Sequence, residues 1–126
     1  MTLPKFHRIF NDTYAQNIYW IKCTPEQFKQ RYELEFKEEL PISSFDGLFL
    51  VGQKRHKKWI NIAVIWCNEG TSFGAAAHEI FHCAHWILRS RNIHLDNPSC
   101  AEAYAYLIQS ITNQILKKWK FRKDNL

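Results

Sequence analysis

The chain has 126 residues, which is enough for one hydrophobic core, so we expect a single domain spanning residues 1–126. Hydrophobic residues make up 46% and charged residues 23%, a balance that is typical of a globular protein and excludes general disorder. The net charge is +5, and no apolar run is long enough to cross a bilayer. Since the N-terminal residues also lack a signal-peptide pattern, the sequence predicts a cytoplasmic protein without a membrane partner.

The N-terminal part of the chain predicts a strand followed by a helix. Residues 17–22 are rich in aromatic and β-branched side chains, which favour a strand. Thr24 to Gln27 then provide an N-cap, a proline in the first helical turn and a capping-box glutamine. Aromatic residues at helical spacing extend this amphipathic helix to about Glu39, and Pro41 ends it.

The middle of the chain predicts two strands, residues 45–51 and residues 58–67, joined by a basic connection over residues 52–57. Side chains on both sides of the second strand are largely apolar. We therefore expect both faces of that strand to be covered.

Two helices complete the predicted order. Residues 70–72 supply an N-cap for a helix over residues 73–89, and a polar loop over residues 90–97 follows it. Pro98 opens the last helix, which runs over residues 99–119. The order β-α-β-β-α-α predicts an α+β fold in which a small sheet packs on helices.

Four cysteines are widely spaced and form no C-x-x-C pair; they are Cys23, Cys67, Cys83 and Cys100. In a chain this apolar, the spacing predicts buried thiols in a reducing compartment instead of a disulfide framework. Cys100 lies near the motif described below, so a role as a metal ligand stays open for it.

Positive charge is concentrated in residues 53–58 and residues 117–123, while the rest of the chain has more acidic than basic residues. Such patches suit a polyanion, although short charge runs also serve solubility. In the second patch, Trp119 and Phe121 are interleaved with cations, an arrangement that suits nucleic acid.

An H-E-x-x-H motif, His78-Glu79-Ile80-Phe81-His82, lies within the helix over residues 73–89. Its two histidines are one turn apart, about 6 Å along the axis, so both imidazoles project from one face and can bind one ion. Zn²⁺ suits two neutral imidazoles and a third ligand, with the fourth position left to water. Glu79 lies about 100° around the helix from His78, near enough to take a proton from that water. The other interpretation is that these are partly exposed histidines on a helix flank, or histidines bonded to carbonyls.

The third ligand is open among five residues after the motif. Glu102 is favoured, because it stands one turn into the last helix, which the loop can fold back antiparallel to the motif helix. A capping box with Ser99 would occupy its carboxylate instead, although Asn97 and Pro98 make a better helix start. His85 lies about 10 Å along the axis from the first histidine of the motif, too far to share one ion. The five candidates are His85, His94, Asp96, Cys100 and Glu102.

Tyr106 shares the face of Glu102 one turn further along the last helix. There it would orient a ligand or donate a hydrogen bond to the oxyanion of the reaction. An aromatic side chain packed between two helices is the other interpretation of this residue.

These residues resemble the small zincin metallopeptidases of the gluzincin type. The pattern Glu102-Ala103-x-x-Tyr106 is similar to that of ImmA/IrrE-like peptidases and of short phage-encoded zincin-like proteins, and the resemblance covers residues 58–118. It implies a minimal zincin-like domain with His78, His82 and Glu102 as zinc ligands and Glu79 as general base. It also implies that the strand over residues 58–67 presents an edge to an extended substrate, and that a phage protein of this type works in the host cytoplasm.

We therefore expect a zinc-dependent metallopeptidase that hydrolyses a peptide or protein substrate, with Glu79 and Tyr106 as catalytic residues. The alternative is a catalytically inactive zincin-fold module that contacts nucleic acid or a host protein through its basic patches. The sequence predicts no particular oligomeric state.

Overall fold

The computed structural model describes residues 2–40 and 46–119. Its four strands are β1 (His7–Asn11), β2 (Gln16–Cys23), β3 (Gly47–His56) and β4 (Lys58–Asn68). Its helices are α1 (Pro25–Phe36), α2 (Phe73–Arg89) and α3 (Ala101–Lys118), with a short 3₁₀ turn, Pro98–Cys100, ahead of α3. The predicted α+β class is confirmed.

The sheet is mixed, with the strand order β1-β2-β4-β3. The two central strands, β2 and β4, are parallel, and each outer strand pairs antiparallel with its neighbour. β4 is paired on both edges from Ala63 to Cys67, whereas over residues 58–62 the ladder joins it to β3 alone. The expectation that the strand over residues 58–67 presents an edge to substrate is therefore wrong for its second half, where β2 and β3 occupy both edges.

Helices cover both faces of the sheet and make a three-layer structure. The side chains of β4 alternate between two cores, because successive residues of a strand point to opposite faces. On one face, Ile62, Val64 and Trp66 pack with α1. On the other, Ala63, Ile65 and Cys67 pack with α2 and α3. The prediction that both faces of this strand are covered is confirmed.

Local signals define both ends of α1. The Thr24 hydroxyl accepts a hydrogen bond from the Gln27 backbone N–H (3.2 Å), and the Gln27 side chain accepts one from the Thr24 N–H (3.0 Å). This is the predicted capping box. At the other end, Lys37 takes a left-handed conformation (φ 56°) and its N–H bonds to the Glu33 carbonyl. The helix therefore ends before Glu39, and the expected terminator, Pro41, lies outside the described residues.

Two parts of the sheet differ from the sequence prediction. β1 is an additional strand, which the predicted order lacks because its sequence has no continuous apolar run. The connection expected over residues 52–57 is mostly strand: β3 pairs with β4 as far as His56 and Lys58, and only Lys57 remains as the turn, with φ 62°. Phe45, the expected first residue of that strand, is outside the described residues.

An ion cluster joins α1 to the sheet. The Glu35 carboxylate lies 2.8 Å from Lys54 Nζ on β3 and 3.2 Å from the Arg8 guanidinium on β1. Burial acts to raise the pKa of Glu35, but the hydrogen bond from Lys54 and the charges of Lys54 and Arg8 outweigh it and hold that pKa below its usual range. Lys54 is thus part of the fold and is not a free cation of the basic segment.

All four cysteines are free, as the sequence predicts. Cys23, Cys67 and Cys83 are buried, and Cys100 is partly exposed. Burial raises the pKa of the Cys23 thiol to about 12. In the described part of the chain, no helix combines the length and the apolar character that a membrane span requires.

Gly52 sits where β3 passes closest to α1. A Cβ atom placed on Gly52 would lie 2.6 Å from two ring carbons of Phe36, well inside van der Waals contact. The ring of Phe36 is itself 5% exposed and packed on Phe6, Tyr19 and Tyr32, so it has little room to move.

We expect Gly52→Ala to lower the free energy of unfolding by about 2 kcal/mol, because overpacking forces the ring or the strand to shift. Gly70→Ala is the matched control, since a Cβ there meets no atom within 4 Å. It should change stability by less than about 0.5 kcal/mol. Urea denaturation measures both, and equal effects of the two substitutions would contradict this packing.

Candidate metal centre

The rotation of α2 about its axis decides which side chains face outward. Its buried residues form one stripe that packs on β2 and β4: Ala76, Ile80, Cys83, Ala84, Ile87 and Leu88. Because this stripe occupies the inner side of the helix, His78 and His82 lie on the exposed side and Glu79 lies at the boundary, partly buried. The helix bounds and N-cap position agree with the sequence prediction.

The motif side chains converge on one point. His78 Nε2 and His82 Nε2 are 3.1 Å apart. Ligand atoms of His78, Glu79 and His82 all lie within 4.8 Å of one another. Two imidazoles bound tetrahedrally to Zn²⁺ at the usual bond length have nitrogen atoms about 3.3 Å apart, so the observed pair fits such an ion with little movement. The group is one that could hold a divalent cation.

Glu79 lies over the end of the β3–β4 pair. Gly47 faces Cys67 across that pair, and a Cβ on Gly47 would be 3.1 Å from Glu79 Cγ and 3.5 Å from its Oε2. Burial, together with the negative charge of Glu79, raises the pKa of the Cys67 thiol to about 12. Among the described residues, the Glu79 carboxylate has no hydrogen bond or ion pair. It is therefore free to accept a proton from a molecule bound at the motif.

Gly47 is a site residue that the sequence analysis missed. Because Gly47 has no side chain, the Glu79 side chain can lie against the sheet at this position. A Cβ atom on residue 47 would be in close contact with Glu79 Cγ. A glycine at the start of a strand is the available signal, since glycine in a strand often marks a close approach by another group.

His85 is held by α3 and lies outside the motif group. Its Nδ1 is 3.2 Å from the Tyr104 hydroxyl, and its ring stacks on Phe81 with centroids 5.8 Å apart. The Tyr104 hydroxyl also donates to the Ile93 carbonyl (3.3 Å). His85 thus forms part of the contact between α2 and α3, next to the candidate centre.

The structure does not bring Glu102 and Tyr106 to the motif. The buried residues of α3 recur at Tyr104, Leu107, Ile111 and Ile115, and this stripe faces α2. Glu102 lies about 160° around the helix from Tyr104, and it is exposed. Tyr106 is 67% exposed on the same outer side. Tyr104, which the sequence analysis did not single out, is the tyrosine that faces α2; its spacing to Leu107 and Ile111 is the signal that identifies it.

The other ligand candidates also lie outside the group. His94 Nε2 is 2.9 Å from Asn92 Oδ1 within the loop. The Asn97 side chain accepts hydrogen bonds from the Ser99 N–H (3.1 Å) and hydroxyl (2.8 Å), so Asn97 starts the 3₁₀ turn before α3, as favoured from the sequence. None of Asp96, Cys100 and Glu102 joins the cluster formed by the motif within residues 2–40 and 46–119.

No known protein family, curated protein or solved structure matches this chain. The likeness to zincins therefore stays a prediction that rests on the motif residues.

With Glu102 on the outer side of α3, we expect Glu102→Gln to retain as much metal as the wild type. Elemental analysis after dialysis against metal-free buffer measures this. Metal loss from a variant that keeps the wild-type melting temperature would contradict the expectation. It would indicate that Glu102 is the third ligand.

Proposed function

We propose that this protein is a zinc-dependent metallopeptidase with a zincin-like centre. The observation that carries the proposal is the placement of two exposed imidazole nitrogens 3.1 Å apart beside the unpaired, partly buried carboxylate of Glu79. His78 and His82 would hold the ion. Two neutral imidazoles and carboxylate oxygens are a donor set that Zn²⁺ prefers, which is why zinc is the ion proposed.

When bound, a zinc ion would supply Lewis acidity toward a water molecule and a peptide carbonyl. The protein's own contribution is proton transfer and positioning. Glu79 accepts the proton of the attacking water at its carboxylate and delivers it to the leaving amine. Because no cation or backbone N–H among the described residues is bonded to that carboxylate, its oxygen atoms are available for both transfers.

A catalytic zinc site normally takes three protein ligands; here we assign two, His78 and His82, and leave the other positions to water. Glu79 already lies in the group, whereas Glu102 lies outside it. Tyr106 would enter the reaction together with Glu102, since the two share one side of the helix. The metal content of Glu79→Gln separates the two roles of Glu79, because a general base is dispensable for metal binding and a ligand is not.

We also propose that the protein is located in the cytoplasm. Its support is the free state of all four cysteines, three of them buried, which suits a reducing compartment.

We expect Glu79→Gln to retain the metal and to lose peptide cleavage by at least about a hundredfold, because the amide cannot accept the proton. His82→Ala should lose the metal, since one imidazole leaves the pair. His94→Ala is the matched control for metal content, as an exposed histidine outside the cluster. Metal analysis and cleavage of a fluorogenic peptide mixture provide the measurements.

Two results would contradict the proposal. One is a folded wild type that contains no metal after purification with added zinc. The other is peptide cleavage by Glu79→Gln at the wild-type rate, which would remove Glu79 from the chemistry.

A second candidate function, contact with single-stranded nucleic acid, is favoured by the tip of the β3–β4 hairpin. We define the hairpin tip as Arg55, Lys57, Lys58 and Trp59, all of which are exposed. Trp59 is 62% exposed and pairs directly across from Arg55. An exposed aromatic ring among cations is the arrangement on which bases stack.

The C-terminal basic segment supports this candidate less. Trp119 packs on Trp20 (5.0 Å between ring centroids) and on His7 (5.5 Å), so its ring is partly buried in the fold. Phe121 lies outside the described residues.

For the hairpin tip, we expect Trp59→Ala to weaken binding of a single-stranded oligonucleotide about tenfold, through loss of base stacking. Phe10→Ala is the matched control, since Phe10 is a 54% exposed aromatic residue on β1, outside the tip. Fluorescence anisotropy at several salt concentrations measures the affinity. Equal losses in both variants, or an affinity that does not change with salt, would exclude the tip as a nucleic-acid site.

A further inference from the structure

The exposed side of α2 carries more than the metal motif. Four residues recur there at spacings of four, three and four: His78, His82, His85 and Arg89. This spacing keeps them in one row along the helix, about 16 Å long. Arg89 therefore lies in line with the candidate metal ligands, in the last turn of α2.

Two open clefts meet at this row. The first, of about 440 Å³, is lined by His82, His85 and Arg89 together with the aromatic rings of Phe49 and Trp86. The second, of about 650 Å³, again includes His85 and Arg89. The first cleft thus connects one metal-binding histidine with Arg89, and its aromatic wall offers apolar contact in between.

The Arg89 guanidinium has no ion pair or hydrogen bond among the described residues, and it is exposed. Two other arginines are bound: Arg8 pairs with Glu35, and Arg91 donates to the Tyr14 carbonyl at 2.6 Å. Asp96 lines the second cleft but makes no ion pair with Arg89. A guanidinium presents a fixed fork of donors that matches a carboxylate, so Arg89 is suited to bind one from outside.

We propose that Arg89 binds a carboxylate of the substrate peptide, about three residues from the bond that is cleaved; this inference rests on the proposed function. The distance follows from the helix: seven residues between His82 and Arg89 span about 10 Å, which an extended peptide covers in about three residues. The carboxylate is either the C-terminus of the peptide or the side chain of an aspartate or glutamate.

His85 borders both clefts. Its ring contacts the Tyr104 hydroxyl and stacks on the Phe81 ring. The first cleft is also lined by Phe49 and Trp86, whose ring centroids are 6.2 Å apart.

If Arg89 had only a structural role, its substitutions would have a different effect. A cation in the last turn of a helix interacts favourably with the helix dipole, and a lysine provides the same charge there. A lysine lacks the planar fork of donors, so Arg89→Lys keeps the helix-end charge and loses the bidentate contact. Arg89→Gln removes both.

Three octapeptides of alanine and glycine serve as probes. The first has one central aspartate and an amidated C-terminus, the second has asparagine at that position, and the third has asparagine and a free C-terminus. Calorimetric binding in the Glu79→Gln background keeps the peptides intact. Comparison of the first and third probes with the second distinguishes a side-chain carboxylate from a terminal one.

We expect the preferred acidic probe to bind about tenfold tighter than the neutral one, and Arg89→Gln and Arg89→Lys each to abolish most of that difference. Asp96→Asn should strengthen binding of the acidic probe, because a competing negative charge leaves the cleft. Lys5→Gln is the control for net charge, since Lys5 is exposed near the N-terminus. It should leave the difference unchanged.

The results separate the two proposals. Equal binding of acidic and neutral probes, or a preference that survives Arg89→Gln at wild-type melting temperature, overturns the carboxylate site even if the protein cleaves peptides. A preference that depends on Arg89 supports the site even if the protein holds no zinc, and only the hydrolytic function would then fail.

Discussion

Six buried residues of α2 pack against the central strands and fix the rotation of that helix about its axis. Three of them, Ile80, Ile87 and Leu88, are large and have no exposed surface. Burial of each such side chain contributes about 2 kcal/mol, so turning α2 to face another direction would cost several kcal/mol. The outward position of His78 and His82 follows from this packing. The row of residues along the exposed side follows from it as well.

The sequence predicts best where the signals are local. The capping box of α1, the bounds of α2 and the convergence of the motif histidines depend on residues within one or two helical turns of each other. β1 is different, because it becomes a strand only when it pairs with β2 across the turn at residues 12–15. Its five residues carry too weak a pattern to predict a strand without that partner.

Glu102 shows the limit of reasoning from spacing. The distance in sequence between His82 and Glu102 suffices for a helix to fold back, and helical periodicity places Glu102 and Tyr106 on one side. Spacing does not say which side of α3 turns toward α2. In the fold, the side of α3 that faces α2 carries Tyr104, which contacts His85. Which side faces inward depends on how the two helices pack together. The contact between Gly47 and Glu79 could not be predicted for the same reason, because the two residues are distant in sequence.

The parallel pairing of β2 with β4 also has a consequence for how the chain folds. Ile18 pairs with Ala63, so the centre of the sheet joins segments separated by α1 and all of β3. The β3–β4 hairpin closes over a single turn residue and forms with little loss of chain entropy. β2 can add to it only after a long loop closes, which makes this step the slower one. A chain in which β2 has not yet paired would leave one edge of β4 open to other chains, an arrangement that favours aggregation.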